Sequence, residues 1–305
     1  SSWVQRGVDL NGEAASDNFG VALSMSQDGT KLAVGARYND TGGSNAGHVR
    51  VFNWNGSSWV QMGADIDGFQ VDMAFGSAVS ISNTGTRVAI GTPLYNGTIG
   101  DQGIARVYNY NGSSWSQIGQ DIIGWSGTSG TNLGKSISIS GDGNAIVVGS
   151  SGYSGGGSTF RGLAEYYKLV SNVWTQQGAD VLGNTNGDRF GFGVSLSNDG
   201  NKIAVGAPYN ASRGYAEVFD YTALLSSNDF QLNNKFSVYP NPINTQFQLN
   251  TDISIDKVEV LNLQGQVIKT FENQESYNIN DLSAGIYLVM IHSEEGKGIK
   301  KIIKN

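Results

Sequence analysis

The chain has 305 residues, of which 39% are hydrophobic, 15% are charged and 43 are glycine, and its formal net charge is −7. This composition is too apolar and too aromatic for a disordered chain. An acidic chain with no basic cluster before its last residues is not expected to bind nucleic acid or an anionic membrane surface. The absence of cysteine excludes disulfides and thiolate chemistry, and no apolar run reaches the roughly 18 residues of a membrane-spanning helix.

The N-terminal region consists of four copies of one repeat. The anchors recur in register as Trp3, Trp59, Trp115 and Trp174, spaced 56, 56 and 59 residues apart. Each copy reads as four strands, with a first strand such as FGVALSMS, a tight SxDG or SNTG turn, then segments such as KLAVGA and HVRVFNW, and finally the tryptophan phrase. Repeated four-stranded units predict an all-β fold, a β-propeller with about four blades visible over residues 1–221.

The first residues, SSWVQRGVDL, repeat the fourth strand of a copy, whereas the last copy stops after its third strand at Tyr221. Propellers commonly close their ring by letting the N-terminal strand complete the last blade. We therefore expect either that this segment closes the last blade or that further blades precede it. The number of copies leaves both possibilities open.

Long and varied loops join the second and third strands of each copy. We expect them on the same face as the crossings from blade to blade, because the other connections are short turns. Each loop contains a tyrosine, and three of these are followed by asparagine. The candidate ligand-binding residues are Tyr38, Asn39, Tyr95, Asn96, Tyr153, Tyr209 and Asn210.

A tyrosine offers a flat apolar face and a polar tip, which suit a sugar ring or a protein partner. The alternative is that these tyrosines only pack over their blades and that the asparagines make turns. Trp54 and Trp125 lie outside the repeating tryptophan position and are further candidates for exposed aromatics, whereas the repeating tryptophans are expected to pack between blades.

No catalytic constellation is recognisable in the sequence. The two histidines, His48 and His292, lack a partner by motif, and no HExxH, GxSxG or phosphate loop is present. Lone strand histidines are typically packing or surface residues. The oxygen-rich stretch 184–188 lacks the remaining ligands of a cation loop and is attributed to a turn.

One aspartate follows each repeating tryptophan by six residues. These are Asp9, Asp65, Asp121 and Asp180. We expect each to accept backbone N–H bonds where the fourth strand ends. The alternative is a ring of four acids around a central metal ion. It is disfavoured because the ends of outer strands lie away from the axis, so neither a metal nor a cofactor is expected.

The pattern FG…SxDG…AVGAP…VxVF over residues 1–221 resembles the FG-GAP repeat of integrin α-chain propellers and many bacterial surface proteins. In calcium-binding members of that family, a DxDxDG-type loop joins the first two strands of a blade. The matching segments here are SQDG, SNTG, SGDG and SNDG. With at most one carboxylate each, they cannot supply the six to eight oxygens that Ca²⁺ takes.

The composition changes near residue 222, since all six tryptophans precede it and residues 231–305 contain seven lysines but no arginine. We expect a linker over 222–234 and a second domain over 235–305. That domain begins FSVYPNP, continues VEVLNLQGQVIKTF and DLSAGIYLVMIHS, and ends GIKKIIKN, with the alternation of half-buried strands.

This tail resembles the type A C-terminal sorting domain of the type IX secretion system of Bacteroidetes. The positions that carry the resemblance are Tyr239, Pro240, Asn241, Pro242, Gly265, Gly285, Ile286, Tyr287, Lys300, Lys301 and Lys304. The resemblance implies a small seven-stranded, Ig-like β-sandwich. It also implies three partners, namely the translocon, an outer-membrane shuttle protein and a sortase-like peptidase, and hence a secreted or surface-attached protein. An ordinary adhesive β-sandwich is the alternative.

These observations favour a secreted or cell-surface binding protein that engages a glycan or protein ligand through the long-loop face of a propeller. A glycan-active enzyme would need paired carboxylates in a cleft, which the sequence does not reveal but folding could assemble. The third possibility is a spacer of a larger adhesin without any ligand.

Overall fold

A computed structural model describes residues 1–127, 129–210, 213–221, 232, 235–262, 267–293 and 296–305. The chain divides into two compact units, unit one over residues 1–221 and unit two over 222–305. Among the described residues, no helix is long and apolar enough to cross a membrane. The predicted linker over 222–234 lies outside the described residues except for Leu232, which is buried in the core of unit two.

Unit one contains four antiparallel sheets that follow one another along the chain, here called blades one to four. Blade one comprises β1 (Phe19–Met25), β2 (Lys31–Ala36), β3 (His48–Trp54), β4 (Trp59–Gln61) and β5 (Ile66–Asp67). Blade two comprises β6 (Ala78–Ile81), β7 (Arg87–Thr92), β8 (Ile104–Tyr110), β9 (Trp115–Gln117) and β10 (Ile122–Ile123).

Blade three has the same plan, and blade four is shorter. Blade three comprises β11 (Leu133–Ile139), β12 (Ala145–Ser150), β13 (Leu163–Val170), β14 (Val173–Gln176) and β15 (Val181–Leu182). Blade four comprises β16 (Gly193–Leu196), β17 (Lys202–Ala207) and β18 (Tyr215–Asp220). The predicted all-β fold of repeated propeller blades is confirmed.

The fourth strand of a blade is interrupted, which the sequence did not predict. In blade one, β4 pairs with the end of β3 and β5 pairs with its beginning. Gly63 lies between them with a φ of 73°. A positive φ turns the chain out of the extended conformation, so the tryptophan phrase makes two short ladders on one neighbour.

Unit two is a sandwich of two antiparallel sheets. One sheet contains β19 (Phe236–Tyr239), β20 (Gln246–Thr251) and β23 (Tyr277–Asn278). The other contains β21 (Lys257–Leu261), β22 (Val267–Glu272), β24 (Gly285–Ser293) and β25 (Gly296–Lys304). Phe247 and Tyr277 stack in the core with ring centroids 5.0 Å apart. The implied seven-stranded β-sandwich is therefore confirmed for the described residues.

The apolar core of unit one lies between consecutive blades. The first strands pack in chain order, β1 on β6, β6 on β11 and β11 on β16. A serine of each first strand also reaches the next blade, because the Oγ atoms of Ser24, Ser80 and Ser138 accept bonds of 3.0 Å from backbone N–H groups of β6, β11 and β16. The same small set of contacts thus joins every pair of neighbours.

Glycines in the second strands make this packing possible. A Cβ atom added at Gly35, Gly91 or Gly149 would overlap the carbonyl oxygen of the glycine that follows the first residue of the FG motif in the next blade. In blade four the equivalent Gly206 has only Gly193 nearby, 3.7 Å from such a Cβ. The strands of neighbouring blades therefore touch backbone to backbone, and a side chain is excluded there.

The repeating tryptophans bond the preceding copy through their indole N–H. Nε1 of Trp115 donates to the carbonyl of Met62 at 2.6 Å, and Nε1 of Trp174 donates to the carbonyl of Ile118 at 2.9 Å. Trp174 is only 2% exposed. The expectation that these tryptophans pack between blades is confirmed for Trp115 and Trp174.

The segment SSWVQRGVDL does not complete blade four in this structure. Residues 1–10 form no strand, and β16, β17 and β18 make a three-stranded sheet in the described part of the chain. The segment instead lies on blade one, where the Arg6 carbonyl accepts a bond of 2.9 Å from Trp59 Nε1 and the Arg6 guanidinium covers the Trp54 ring at 4.8 Å. The tryptophan bond that links internal copies therefore holds this segment too.

The first strand of blade one exposes a face that is buried in later blades. Leu23 and Met25 are 61% and 53% exposed, whereas Val79 and Ile81 at the same positions of blade two are 8% and 7% exposed. No packing like that of β1 on β6 joins β16 to β1 among the described strands. Blade one therefore has one neighbouring blade in this structure.

We predict that Gly91→Ala destabilises unit one by about 1–3 kcal/mol, because its methyl group would overlap backbone that cannot move independently of the sheet. Gly206→Ala is the matched control, since the same change in blade four makes only an ordinary van der Waals contact with Gly193, and it should stay within about 0.5 kcal/mol of the original protein. Urea unfolding followed by circular dichroism measures both. Equal losses in the two variants would contradict the role of the glycines.

Candidate functional site on the long-loop face

The long loops between second and third strands share a face with the crossings between blades. A groove of about 290 Å³ is lined by Gly156, Gly157 and Ser158 of the blade-three loop together with Asn184 and Asn186 of the crossing to blade four. Loop and crossing are also joined in blade two, where the side chain of Gln70 bonds the backbone of Asn96. We call the surface formed by these loops and crossings the long-loop face.

Three of the four loop tyrosines are paired with a second aromatic ring. Tyr95 packs on Phe69 with centroids 5.8 Å apart, and Tyr153 packs on Trp125 at 5.2 Å. Tyr209 packs on Phe192 at 5.8 Å. In the first two pairs the partner comes from the preceding crossing, so the rings also tie consecutive blades together.

These pairs leave much aromatic surface in contact with water. Phe69 is 44% exposed, Trp125 is 42% exposed, and Tyr209 is 58% exposed. Tyr38 differs, since its ring lies under the Arg37 guanidinium at 4.6 Å. Trp54, the other tryptophan expected to be exposed, is half-buried and packs edge-on against Trp59.

The loop asparagines hold the loops together. Asn39 is 4% exposed, and its amide donates to Asp17 at 2.9 Å. The sequence suggested Asn39 as a ligand contact, but in the structure its side chain is not accessible to a ligand. Asn210 donates to Asp188 at 2.7 Å. Asn96 is exposed, but its side-chain oxygen accepts the backbone N–H of Asp101. The contacts of these three asparagines agree with the alternative that they stabilise the turns of their loops.

Asp188 shows how completely such an acid is used. It is fully buried and accepts bonds from the Thr185 backbone, the Thr185 hydroxyl, the Asn210 amide and the Tyr215 hydroxyl. Burial alone would raise the pKa of Asp188, but these donors outweigh it and lower the pKa to about 2. Residues 184–188 therefore form a turn that is held by hydrogen bonds to Asp188.

Cationic side chains lie over several rings of the long-loop face. The Arg106 guanidinium is 3.7 Å from the Phe69 centroid, and Arg189 lies 4.7 Å from Phe160 and 5.5 Å from Tyr209. Arg106 also donates two bonds, of 2.7 and 2.8 Å, to Asp121. These stacks fix the orientation of exposed rings and place donors beside them.

The four repeated aspartates were expected to accept backbone N–H bonds, but they accept bonds from side chains instead. In each copy a glutamine four residues earlier donates to the aspartate, from Gln5, Gln61, Gln117 and Gln176 to Asp9, Asp65, Asp121 and Asp180. Among the described residues, one group of acids and histidines could hold a metal ion, and it contains only Asp65 of the four. A ring of four aspartates is therefore not formed.

The group that could hold a metal ion was not predicted from the sequence. It combines Glu13, His48 and Asp65. The signal in the sequence was that His48 stands where the other copies have Ile104, Leu163 and Tyr215. His292, in unit two, instead bonds Glu259 at 2.8 Å.

In unit two, the YPNP motif is joined to the C-terminal strand. Asn241 donates to the Lys301 carbonyl at 3.1 Å and accepts the Ile303 N–H at 2.8 Å. Tyr287 donates to the Ser283 carbonyl at 2.9 Å. Tyr239 ends β19, Pro240 and Pro242 follow cis peptide bonds, Gly285 and Ile286 begin β24, and Lys300, Lys301 and Lys304 belong to β25. Gly265 lies outside the described residues.

Comparison with known families gives one match in each unit. Residues 237–305 match the secretion system C-terminal sorting domain. Unit two carries a sorting domain. Residues 11–52 match the FG-GAP repeat. The sorting domain engages the type IX secretion system, so the protein is exported to the cell surface or the extracellular space.

Solved structures give only distant likenesses. A protein described as TolB from Agrobacterium tumefaciens is 12% identical, with 93% of this chain and 80% of that chain covered and a TM-score of 0.41. The Dos1 propeller is 14% identical, with 93% and 67% covered and a TM-score of 0.39. A prolyl endopeptidase is 12% identical, with 92% and 42% covered and a TM-score of 0.39.

TM-scores this low carry no argument about fold or function. The propeller blades are established by the sheets of unit one and by the FG-GAP match. A search of the curated proteins found no sequence match.

We predict that Glu165 makes unit one less stable as the pH rises from about 4.5 to 7. Burial and then the charge of Asp180 raise the pKa of this half-buried carboxyl from 4.5 to about 7, so the folded state holds a proton that the unfolded state has lost. The contribution of Glu165 to the free energy of unfolding is largest below about pH 4.5. It is lower by roughly 1–3 kcal/mol above pH 7.

Glu165→Gln should therefore match the original protein at pH 4.5 and exceed it in unfolding free energy at pH 8. Glu217→Gln, at the same position of blade four, is the control. Parallel stability curves for the original protein and Glu165→Gln, measured in urea across this pH range, would contradict the assignment.

Proposed function

We propose that the protein is an exported binding protein whose propeller holds a glycan chain against the long-loop face. The observation that carries this proposal is the set of three aromatic pairs on this face, each of which includes an exposed ring. They are Phe69 with Tyr95, Trp125 with Tyr153, and Phe192 with Tyr209. Flat rings with polar neighbours suit the apolar faces and hydroxyl rims of sugars.

The shape of the face supports an extended ligand. Between the rings lie shallow grooves of about 380 and 220 Å³, the first lined by Tyr95, Thr98 and Gln102 and the second by Lys135 and Arg189 among others. Backbone and amide groups of these loops can bond hydroxyls while rings from neighbouring blades stack on successive sugar units. A protein ligand remains the alternative occupant of the same face.

Binding without turnover is part of the proposal. The buried acids near the loops are engaged in structural bonds, since Asp188 accepts from four donors and Asp17 accepts from Asn39 and the Ala14 backbone. Hydrolysis would need two carboxyls free to exchange a proton with the substrate and water. We therefore propose binding without catalysis, in line with the absence of a recognisable catalytic motif in the sequence.

We predict that Trp125→Ala and Tyr209→Ala each weaken glycan binding by roughly fivefold to 150-fold, by analogy with the stacking of a nucleic-acid base on one ring, which is worth roughly 1–3 kcal/mol. The probe is an array of bacterial, algal and plant polysaccharides, followed by calorimetry on the best binder. Trp3→Ala removes an exposed tryptophan outside the face and should bind as the original protein does.

The outcomes separate the candidate functions. Release of reducing ends from the bound polysaccharide would replace the binding proposal with an enzyme. Binding to a protein surface that the same two variants abolish, without any glycan binding, would identify a protein ligand. Surface adhesion that survives both changes would favour a spacer.

We further propose that a sortase-like peptidase removes the sorting domain after an outer-membrane shuttle protein and the translocon have passed the chain outwards. The match over residues 237–305 supports this proposal. We predict that the protein recovered from outside its native cells ends between residues 222 and 235, and that a variant truncated before residue 237 stays inside. Intact mass and C-terminal sequencing measure the first point, and an extracellular species that retains Asn305 would contradict it.

A further inference from the structure

The beginning of β3 in blade one carries a histidine that the fold does not explain. His48 is fully buried, and neither ring nitrogen has a hydrogen-bond partner. The other blades place the apolar side chains of Ile104 and Leu163 and the ring of Tyr215 at this position. A buried imidazole without a hydrogen-bond partner is unfavourable, and a ligand that binds nitrogen would remove this cost.

Carboxylates surround one edge of this imidazole. Nδ1 of His48 lies 3.6 Å from Asp65 Oδ2, 3.9 Å from Glu13 Oε2 and 4.0 Å from Asp67 Oδ1. Asp67 belongs to β5 and is paired in register with His48, while Glu13 comes from the segment before β1. Two separate parts of the chain, residue 13 and residues 65–67, thus converge on Nδ1.

The cluster has more negative charge than its neighbours balance. Arg50 approaches Glu13 at 3.6 Å, but through the other carboxylate oxygen, Oε1. In blade two the equivalent Arg106 is bonded in bidentate fashion to Asp121. In blade one, Asp65 accepts from Gln61 and keeps its Oδ2 atom towards His48. One cation therefore faces three carboxylates.

We propose that Glu13, His48 and Asp65 bind a divalent transition-metal ion, with Zn²⁺ as the preferred occupant and Asp67 as an additional ligand. The three ligand atoms lie within 4.8 Å of one another. Bonds of about 2.0–2.2 Å from a tetrahedral ion to nitrogen and oxygen place ligands roughly 3.3 Å apart. Small side-chain rotations close that difference.

The donor set decides the class of metal. Imidazole and carboxylate together suit Zn²⁺ and related ions, whereas Ca²⁺ takes six to eight oxygens and no nitrogen. Glu13 and Asp67 are partly exposed, which gives the ion a path from solvent to the buried ring. The bound ion would fasten the segment before β1 to β3 and β5.

The test uses the full chain without a histidine tag, dialysed against EDTA and titrated with ZnCl₂ or CaCl₂ by calorimetry. We expect one Zn²⁺ site per chain, a higher midpoint of thermal unfolding with Zn²⁺, and neither effect with Ca²⁺. Because the chain has only two histidines, a ¹⁵N-edited NMR spectrum should show the His48 ring signals shifting with Zn²⁺ and the His292 signals unchanged.

Glu13→Gln tests the site without touching a buried group, and we expect it to weaken Zn²⁺ binding by at least the roughly 10- to 100-fold that loss of an outer-shell partner costs. His48→Gln should abolish binding. His292→Gln and Asp180→Asn are matched controls that remove the other histidine and the equivalent aspartate of blade three, and both should bind Zn²⁺ as the original chain does.

The absence of Zn²⁺ binding by calorimetry would overturn the proposal, as would binding that survives both Glu13→Gln and His48→Gln. Loss of binding in His292→Gln alone would move the site to unit two and overturn it equally.

Discussion

Backbone-to-backbone contact between neighbouring blades is the constraint on which unit one depends. A glycine in each second strand lets the next blade approach until its carbonyl oxygen occupies the place of a side chain. Only at that separation can the serine of one first strand reach the backbone N–H of the next, and the indole of one copy reach the carbonyl of the previous one. The sequence repeats because this interface repeats.

The same repetition arranges the surface. Since every blade is docked in the same way, each long loop lies beside the crossing that enters its blade, and the aromatic rings of loop and crossing meet. The core is thus built from what the copies share, and the long-loop face from what differs between them. Variation in these loops changes this exposed face, while the glycine, serine and tryptophan contacts between blades stay the same.

The sequence predicts the elements well where a local pattern decides them. Alternation and Asp-Gly turns locate the first three strands of each blade, and the motifs of the tail identify the sandwich. The break in the fourth strand was not predicted, because the sequence around Gly63 is also compatible with a continuous strand. The placement of SSWVQRGVDL was left open between two possibilities, because its likeness to a fourth strand does not reveal which blade its backbone contacts.

The site was less predictable, because side-chain partners come from distant parts of the chain. Asn39 looked like a ligand contact, yet Asp17 holds it in the interior. Asp65 looked like one of four equivalent acids, but only blade one brings a histidine and Glu13 beside it. Only the folded arrangement shows that His48 has no hydrogen-bond partner.

The exposed face of β1 shows that stability is uneven along unit one. A blade with neighbours on both sides is stabilised by two interfaces, whereas blade one, with Leu23 and Met25 in water, is stabilised by one. In an array whose stability is a sum of nearest-neighbour terms, blades one and four, which each pack on one neighbour, open first, and their amide hydrogens exchange before those of blades two and three. The local stability of each blade therefore depends on how many neighbouring blades cover it.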